Sequence, residues 1–225
     1  MKIFGHRGAA GLVAENTLES ISEALAHNVD GIEIDVHRCK TGELVVIHDE
    51  TLSRTTNGYG KVSEFTWQEL EKLRTQEGYS IPTLIQVLDL IDGRCILNIE
   101  LKGIGTALPT VELLERQILN SNWNYDDFIL SSFDHSQLFQ IKAVTLDFKL
   151  GVLTEGNISK VLKVSENLRA FSIHPSINKV TKEEVLLAKE QGYKVYVWTV
   201  NDQSFIETSK TWNVEGIITD FPNFA

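Results

Sequence analysis

The chain has 225 residues, 42% of them hydrophobic, and a formal net charge of -10. This suits one large domain with a full core and excludes a disordered tract or a small disulfide scaffold. The acidic balance argues against a general nucleic-acid binder or a protein held on anionic lipid, so any phosphate site must be locally basic or metal-loaded.

A first strand is expected at Lys2–Gly5, and it runs directly into His6-Arg7-Gly8. Glycines on both sides of the His-Arg pair let backbone approach a ligand closely. A guanidinium fork beside an imidazole suits phosphate: one clamps oxygens, the other moves protons. A helix follows, with Leu18, Ile21, Ala24 and Leu25 at helical spacing and Asn16 or Thr17 as its cap.

The next strand, Gly31–Val36, sets Glu33 and Asp35 between Ile32, Ile34 and Val36. A period of two puts both carboxylates on one face and the apolar residues on the other, against helices. Carboxylates turned into an interior need a proton or a cation, and oxygen ligands suit a hard divalent ion. The run Leu44–Ile47 ends in His48-Asp49. His48 supplies the second imidazole that acid–base chemistry needs, and Asp49 reads mainly as a loop cap.

Residues Thr51 to Tyr79 break the rhythm. They are rich in Thr, Gly and charge, with a turn at Asn57-Gly58 and a short helix expected over 66–73. This segment is expected to cap the barrel's top face. The strand Cys95–Leu101 repeats the earlier pattern: Asn98, Glu100 and Lys102 face one way, Ile99 and Leu101 the other. Glu100 completes a three-carboxylate metal site, and Lys102 brings positive charge to the same ligand.

Helical spacing returns at Leu108, Val111, Leu114 and Ile118. Strands are expected at Phe128–Ser131, Leu150–Leu153, Ala170–Ile173, Val195–Val200 and Gly216–Thr219. The helix carrying Val185, Leu186, Ala188 and Lys189 starts at a Thr181-x-x-Glu184 capping box and stops at Gly192. Trp198 is placed to stack on the alcohol portion of a substrate. Ser131, Ser132, Phe133, Ser172, His174 and Thr219 also sit at strand ends. Asn201 and Asp220 read as caps, and His27, His37 and His135 as helix-surface or loop residues without a role.

Strands alternating with helices make a parallel sheet, and about eight of them favour a closed (β/α)8 TIM barrel. The competitor, a doubly wound open sheet, lacks its Gly-x-Gly-x-x-Gly signature here, and the chemical residues are spread over many strand ends. The expected architecture is a single barrel domain over residues 1–225, with a small insertion after strand 2. Phe221–Ala225 leaves no room for an eighth helix, so the final helix is truncated or absent.

Taken in order, the motifs HRG, ExD, HD, ExK, SSF, WTVN and TD resemble the glycerophosphodiester phosphodiesterase family, a group of phospholipase-C-like TIM barrels. That family's insertion after the second strand coincides with 51–79. The resemblance implies that His6 and His48 form the acid–base pair and that Arg7 clamps phosphate. It implies that Glu33, Asp35 and Glu100 bind a divalent metal (Mg2+ or Ca2+, with Mn2+ also accepted) and that Lys102 contacts the phosphate or metal site. The implied reaction hydrolyses a small-molecule glycerophosphodiester to glycerol 3-phosphate and an alcohol. Ala14 stands where family members often carry Pro before Glu-Asn-Thr.

Two alternatives stand beside this one. One is a phospholipase-like enzyme acting on intact or lyso lipids and forming a cyclic phosphate; the other is a non-catalytic binding barrel. Cys39 and Cys95 are expected as reduced, buried thiols. With no basic leader and no run of about 20 apolar residues, the expectation is a cytoplasmic protein without a membrane anchor or a nucleic-acid partner. A homo-oligomer is one way to cover the wall where a final helix is missing.

Overall fold

A computed structural model describes residues 1–224. The strands are β1 (Lys2–His6), β2 (Gly31–Arg38), β3 (Leu44–Val46), β4 (Ile96–Leu101), β5 (Phe128–Ser132), β6 (Lys149–Thr154), β7 (Ser172–Pro175), β8 (Lys194–Val197) and β9 (Gly216–Thr219). They join in the order β1-β9-β8-β7-β6-β5-β4-β2, and a further β1–β2 pairing closes the ring. All eight of these strands run parallel, which makes a closed (β/α)8 barrel. The remaining strand, β3, lies antiparallel to β2 outside the ring.

The helices are α1 (Leu18–Ala26), α2 (Trp67–Leu70), α3 (Leu84–Ile91), α4 (Ala107–Asn120), α5 (His135–Val144), α6 (Leu162–Leu168), α7 (Lys182–Glu190) and α8 (Gln203–Thr211). After β9 the described chain forms only a 3-10 turn, Pro222–Phe224. The helix expected over 66–73 is shorter, since α2 holds one turn. Thr17 caps α1 by accepting from the Ser20 N–H at 3.1 Å. Thr181 caps α7, and Gly192 follows its end at φ +89°.

The period-two reading of β2 and β4 holds. Ile32, Ile34, Val36, Ile99 and Leu101 point outward and are packed with Ile21, Ala24, Leu84 and Leu88 from the helices. Each such side chain, fully buried, contributes about 1.5–3 kcal/mol. Inside the barrel, Phe4, Ile129, Tyr196 and Ile218 form an apolar floor. The Phe4 and Tyr196 rings meet edge-on at 5.3 Å. Phe4 fits because Gly31 opposes it; a Cβ there would lie 2.3 Å from the ring. Above this floor the inward positions turn polar, and that end holds the site.

The insertion has its own small core. Leu52, Val62 and Leu70 pack with Cys39, Val45, Ile47 and Ile81 on the side of β3 away from the barrel. Hydrophobic burial thus anchors the segment beside the mouth, where its polar residues reach the site.

Candidate active site

Arg7 follows β1 at φ +52° and Gly8 at +87°. A Cβ at Gly8 would meet the Ser20 backbone within 2.7 Å, so the turn crosses the start of α1 only with glycine there. Ser20 fixes the same turn, donating from Oγ to the Arg7 carbonyl at 2.9 Å and accepting from the Ala9 N–H at 2.8 Å. This aims Arg7 into the mouth.

Asp35 on β2 lies in register with Glu100 on β4, and Glu33 sits two residues earlier. One oxygen from each carboxylate lies within 4.8 Å of the others. Glu33 and Asp35 are only 4% and 1% exposed. Burial, then the neighbouring Asp35 and Glu100 charges, push the Glu33 carboxyl well above its ordinary value. Burial and Asp35 likewise push Glu100 up to about 7. Arg7 Nε approaches Asp35 at 3.4 Å, and Lys102 Nζ approaches Glu100 at 3.1 Å and Asp35 at 3.8 Å. These two positive charges face three negative ones. The Arg7 N–H donates to Glu33 at 3.1 Å. Asn16 Nδ2 donates to Asp35 Oδ2 at 2.8 Å, while its Oδ1 accepts from the Asp35 N–H.

The donor set is all oxygen, repels itself and is nearly dry. Beside it, the buried Asn98 Oδ1 has no hydrogen-bond partner. Such a set fits a hard divalent cation.

Each of the two expected imidazoles has a carboxylate at Nδ1. His6 Nδ1 lies 2.5 Å from Asp220 Oδ1. Asp220 in turn accepts from Asn201 Nδ2 at 2.5 Å, and its N–H donates to Asn201 Oδ1 at 2.9 Å. Burial alone would raise the Asp220 carboxyl, but His6 and Asn201 hold it below its ordinary value. An ionised Asp220 accepts, so the His6 proton sits on Nδ1 and Nε2 faces the cavity, 3.9 Å from Glu33. His48 Nδ1 lies 2.6 Å from Asp49 Oδ1. Arg54 first, then His48, hold the Asp49 carboxyl well below its usual range. His48 Nε2 therefore turns toward Lys102 Nζ, 2.9 Å away. Burial pushes His48 below its ordinary value; Arg7 and Lys102 add to this, against Asp35 and Asp49.

His6, Arg7, Glu33, His48, Glu100 and Lys102 line one cavity of about 280 Å3, and Phe133, Leu153 and Trp198 form its apolar wall. Trp198 meets Phe133 edge-on at 5.7 Å, and its indole N–H is spent on the His174 carbonyl at 2.9 Å. Only the ring is left for a ligand. Asp35 does not line the cavity but completes the carboxylate cluster from its buried position.

Four local readings need correction. Asn201 and Asp220 are not helix caps; Asp202 caps α8, and the pair holds His6 instead. Asp49 orients His48 as well as shaping the loop. His37 is neither on a helix surface nor in a loop: it is buried on β2, and burial keeps it below its ordinary value. Its Nε2 lies 3.1 Å from the His48 carbonyl, so the neutral ring donates there. Glu15, seen in the sequence only as a motif neighbour, and Asn16, offered there as a possible cap that Thr17 supplies instead, make direct bonds to Arg7 and Asp35.

A (β/α)8 barrel with paired imidazole–carboxylate units, a basic clamp and a carboxylate cluster at its mouth defines a class, the barrel hydrolases that work on phosphate esters. The Glycerophosphoryl diester phosphodiesterase family model matches residues 6–224. A relative from Caldanaerobacter subterraneus subsp. tengcongensis named glycerophosphodiester phosphodiesterase is 36% identical, covering 98% of this chain and 94% of its own. One of the same name from Bacillus altitudinis is 35% identical, covering 100% and 96%. The structure of an Oleispira antarctica phosphodiesterase in complex with its product sn-glycerol-3-phosphate superposes with a TM-score of 0.92 at 29% identity, covering 100% of this chain and 94% of that one. The chain belongs to the glycerophosphoryl diester phosphodiesterase family and is a phosphoric diester hydrolase. No helix among the described residues is long and apolar enough to cross a membrane.

Proposed function

We propose that this enzyme hydrolyses glycerophosphodiesters to glycerol 3-phosphate and an alcohol, with His48 as base, His6 as acid and a divalent cation on Glu33, Asp35 and Glu100. The observation that carries this reading is the pair of imidazoles that both present Nε2 to one cavity beside the carboxylate cluster. The glycerol 3-phosphate found as product in the Oleispira antarctica neighbour supports the choice of substrate.

Arg7 and Lys102 flank the place of the phosphate and balance its charge. Positive Lys102 beside His48 Nε2 disfavours protonation there, so this nitrogen accepts a proton from the attacking hydroxyl, either water or the substrate's own vicinal group. His6, held at Nδ1 by Asp220 with Nε2 turned to the cavity beside Glu33, donates a proton to the departing alkoxide. The cation, Mg2+ or Ca2+ with Mn2+ also suited, supplies charge neutralisation to the phosphate oxygens. Trp198, with Phe133 and Leu153, receives the apolar part of the alcohol. The whole chain works as one barrel with 51–79 as its cap. Free Cys39 and Cys95 support a reducing, cytoplasmic setting.

Turnover of a panel of glycerophosphodiesters, measured after chelation and re-addition of each metal with phosphorus NMR of the products, tests the reading. His6→Ala and His48→Ala should each lower kcat about 100- to 10,000-fold with unchanged circular dichroism. Near-normal turnover by metal-loaded His48→Ala rejects the assignment. A cyclic phosphate as the final product points to the phospholipase-like reaction.

A further inference from the structure

We propose that Arg54, carried by the insertion, is a positioning residue that ties the His48 side of the site to the Arg7 side. The proposal rests on the roles given above to His48 and Arg7. One guanidinium bridges two carboxylates that are far apart in sequence. Its Nε and Nη2 donate to Asp49 at 2.6 and 2.9 Å, and its Nη1 and Nη2 donate to Glu15 at 2.8 Å each. Each carboxylate also serves a site residue. Asp49 Oδ1 accepts from His48 Nδ1 at 2.6 Å, and Glu15 Oε1 accepts from Arg7 Nη1 at 2.7 Å. The chain of contacts therefore runs His48, Asp49, Arg54, Glu15, Arg7 and on to Asp35.

Without Arg54, Asp49 and Glu15 lose the cation that holds both in one geometry. Asp49 is then free to swing, and the His48 proton is no longer pinned to Nδ1. Glu15 has only Arg7 left to pair with and pulls on the clamp. A lysine cannot replace this, because it offers a point charge and not a planar fork. The Arg54 side chain is 46% exposed, so its ion pairs add little to global stability. Its effect is expected in the chemistry rather than in the fold. The insertion thus does more than cover the mouth: its Arg54 sets the register between acid–base and phosphate-binding groups.

The test pairs kinetics with ring nitrogen NMR of His48, a readout that needs no turnover. Arg54→Ala should lower kcat about tenfold or more with a melting temperature close to wild type, and His48 should change from one tautomer to a mixture. Glu15→Gln and Asp49→Asn should be non-multiplicative in kcat/KM when Arg54 is present and multiplicative in the Arg54→Ala background. Wild-type kcat and His48 spectrum in Arg54→Ala overturn the proposal, as does coupling that survives its loss. If Arg54→Ala fails to fold, Arg54→Lys keeps the charge and loses the fork; retained coupling in that variant also overturns the proposal. A wild-type protein with no diesterase turnover defeats the proposed function instead, and the His48 spectrum still decides the role of Arg54.

Discussion

Replacing Asp220 with Asn barely changes the side chain's size, but it reverses what the group offers to His6. In the native arrangement Asn201 Nδ2 donates to Asp220 Oδ2 while Oδ1 accepts from His6. An amide at 220 must keep its oxygen toward Asn201, or leave two NH2 groups facing each other. Its own NH2 then faces His6 Nδ1, which has to accept. The His6 proton moves to Nε2, and the imidazolium loses its buried counter-charge. General acid–base catalysis contributes about 100- to 10,000-fold, so Asp220→Asn should lower kcat by that range, about 2.7–5.4 kcal/mol of barrier. Asp220→Ala should be milder, because water at the vacated position can accept from Nδ1 and restore the native tautomer. The assay is kcat at saturating diester for both variants, with circular dichroism as the fold control. Asp220→Asn within threefold of wild type, or Asp220→Ala worse than Asp220→Asn, refutes the reasoning.

Two further outcomes follow from the charges around the mouth. Arg54 and Arg7 outweigh burial and hold Glu15 at about 2, below its ordinary 4.5. A depressed carboxyl stabilises the fold fully above its unfolded value and loses that contribution as pH falls from about 4.5 to 2. With the half-exposed Arg54 pair screened by solvent, Glu15→Gln should therefore cost only about 1 kcal/mol at pH 7 and progressively less below pH 4.5. Denaturant melts of both proteins at several pH values check this, and a cost independent of pH contradicts it. Glu33→Gln keeps the hydrogen bond from the Arg7 N–H but removes one of three mutually repelling carboxylates. In metal-free protein it should raise stability by on the order of 1–3 kcal/mol. It should also abolish any rise in melting temperature on adding the divalent cation. A full metal-induced rise in this variant contradicts the ligand set.

The barrel was legible because its inward and outward residues alternate with a clean period. Glu33 and Asp35 set among Ile32, Ile34 and Val36, and Glu100 between Ile99 and Leu101, declare both their strand and their face. The same count continues to His37, two residues past Asp35, and would have placed it on the inner face; a lone histidine beside an arginine gave no other sign. Asp220 and Asn201 could not be found this way. Their partner His6 is 214 residues from Asp220, and only the pairing of β1 with β9 brings them together. Each stands at a strand end, where short polar residues usually cap helices. Arg54 was hidden by its setting, one charge in a polar insertion whose approach to Glu15 and Asp49 depends on how its own small core packs on β3. Helix α3 had a sign of its own that went unread: Leu84, Val87, Leu88 and Ile91 stand at i, i+3, i+4 and i+7 on its buried face.

Closure of the ring between β1 and β9 also bears on how the enzyme is made. His48, Arg7 and the carboxylate cluster come from the first half of the described residues, whereas Asp220, the partner of His6, follows the last strand. During synthesis, the chain must extend past β9 before His6 acquires Asp220. A chain stopped before β9 leaves the ring open and His6 without its carboxylate partner.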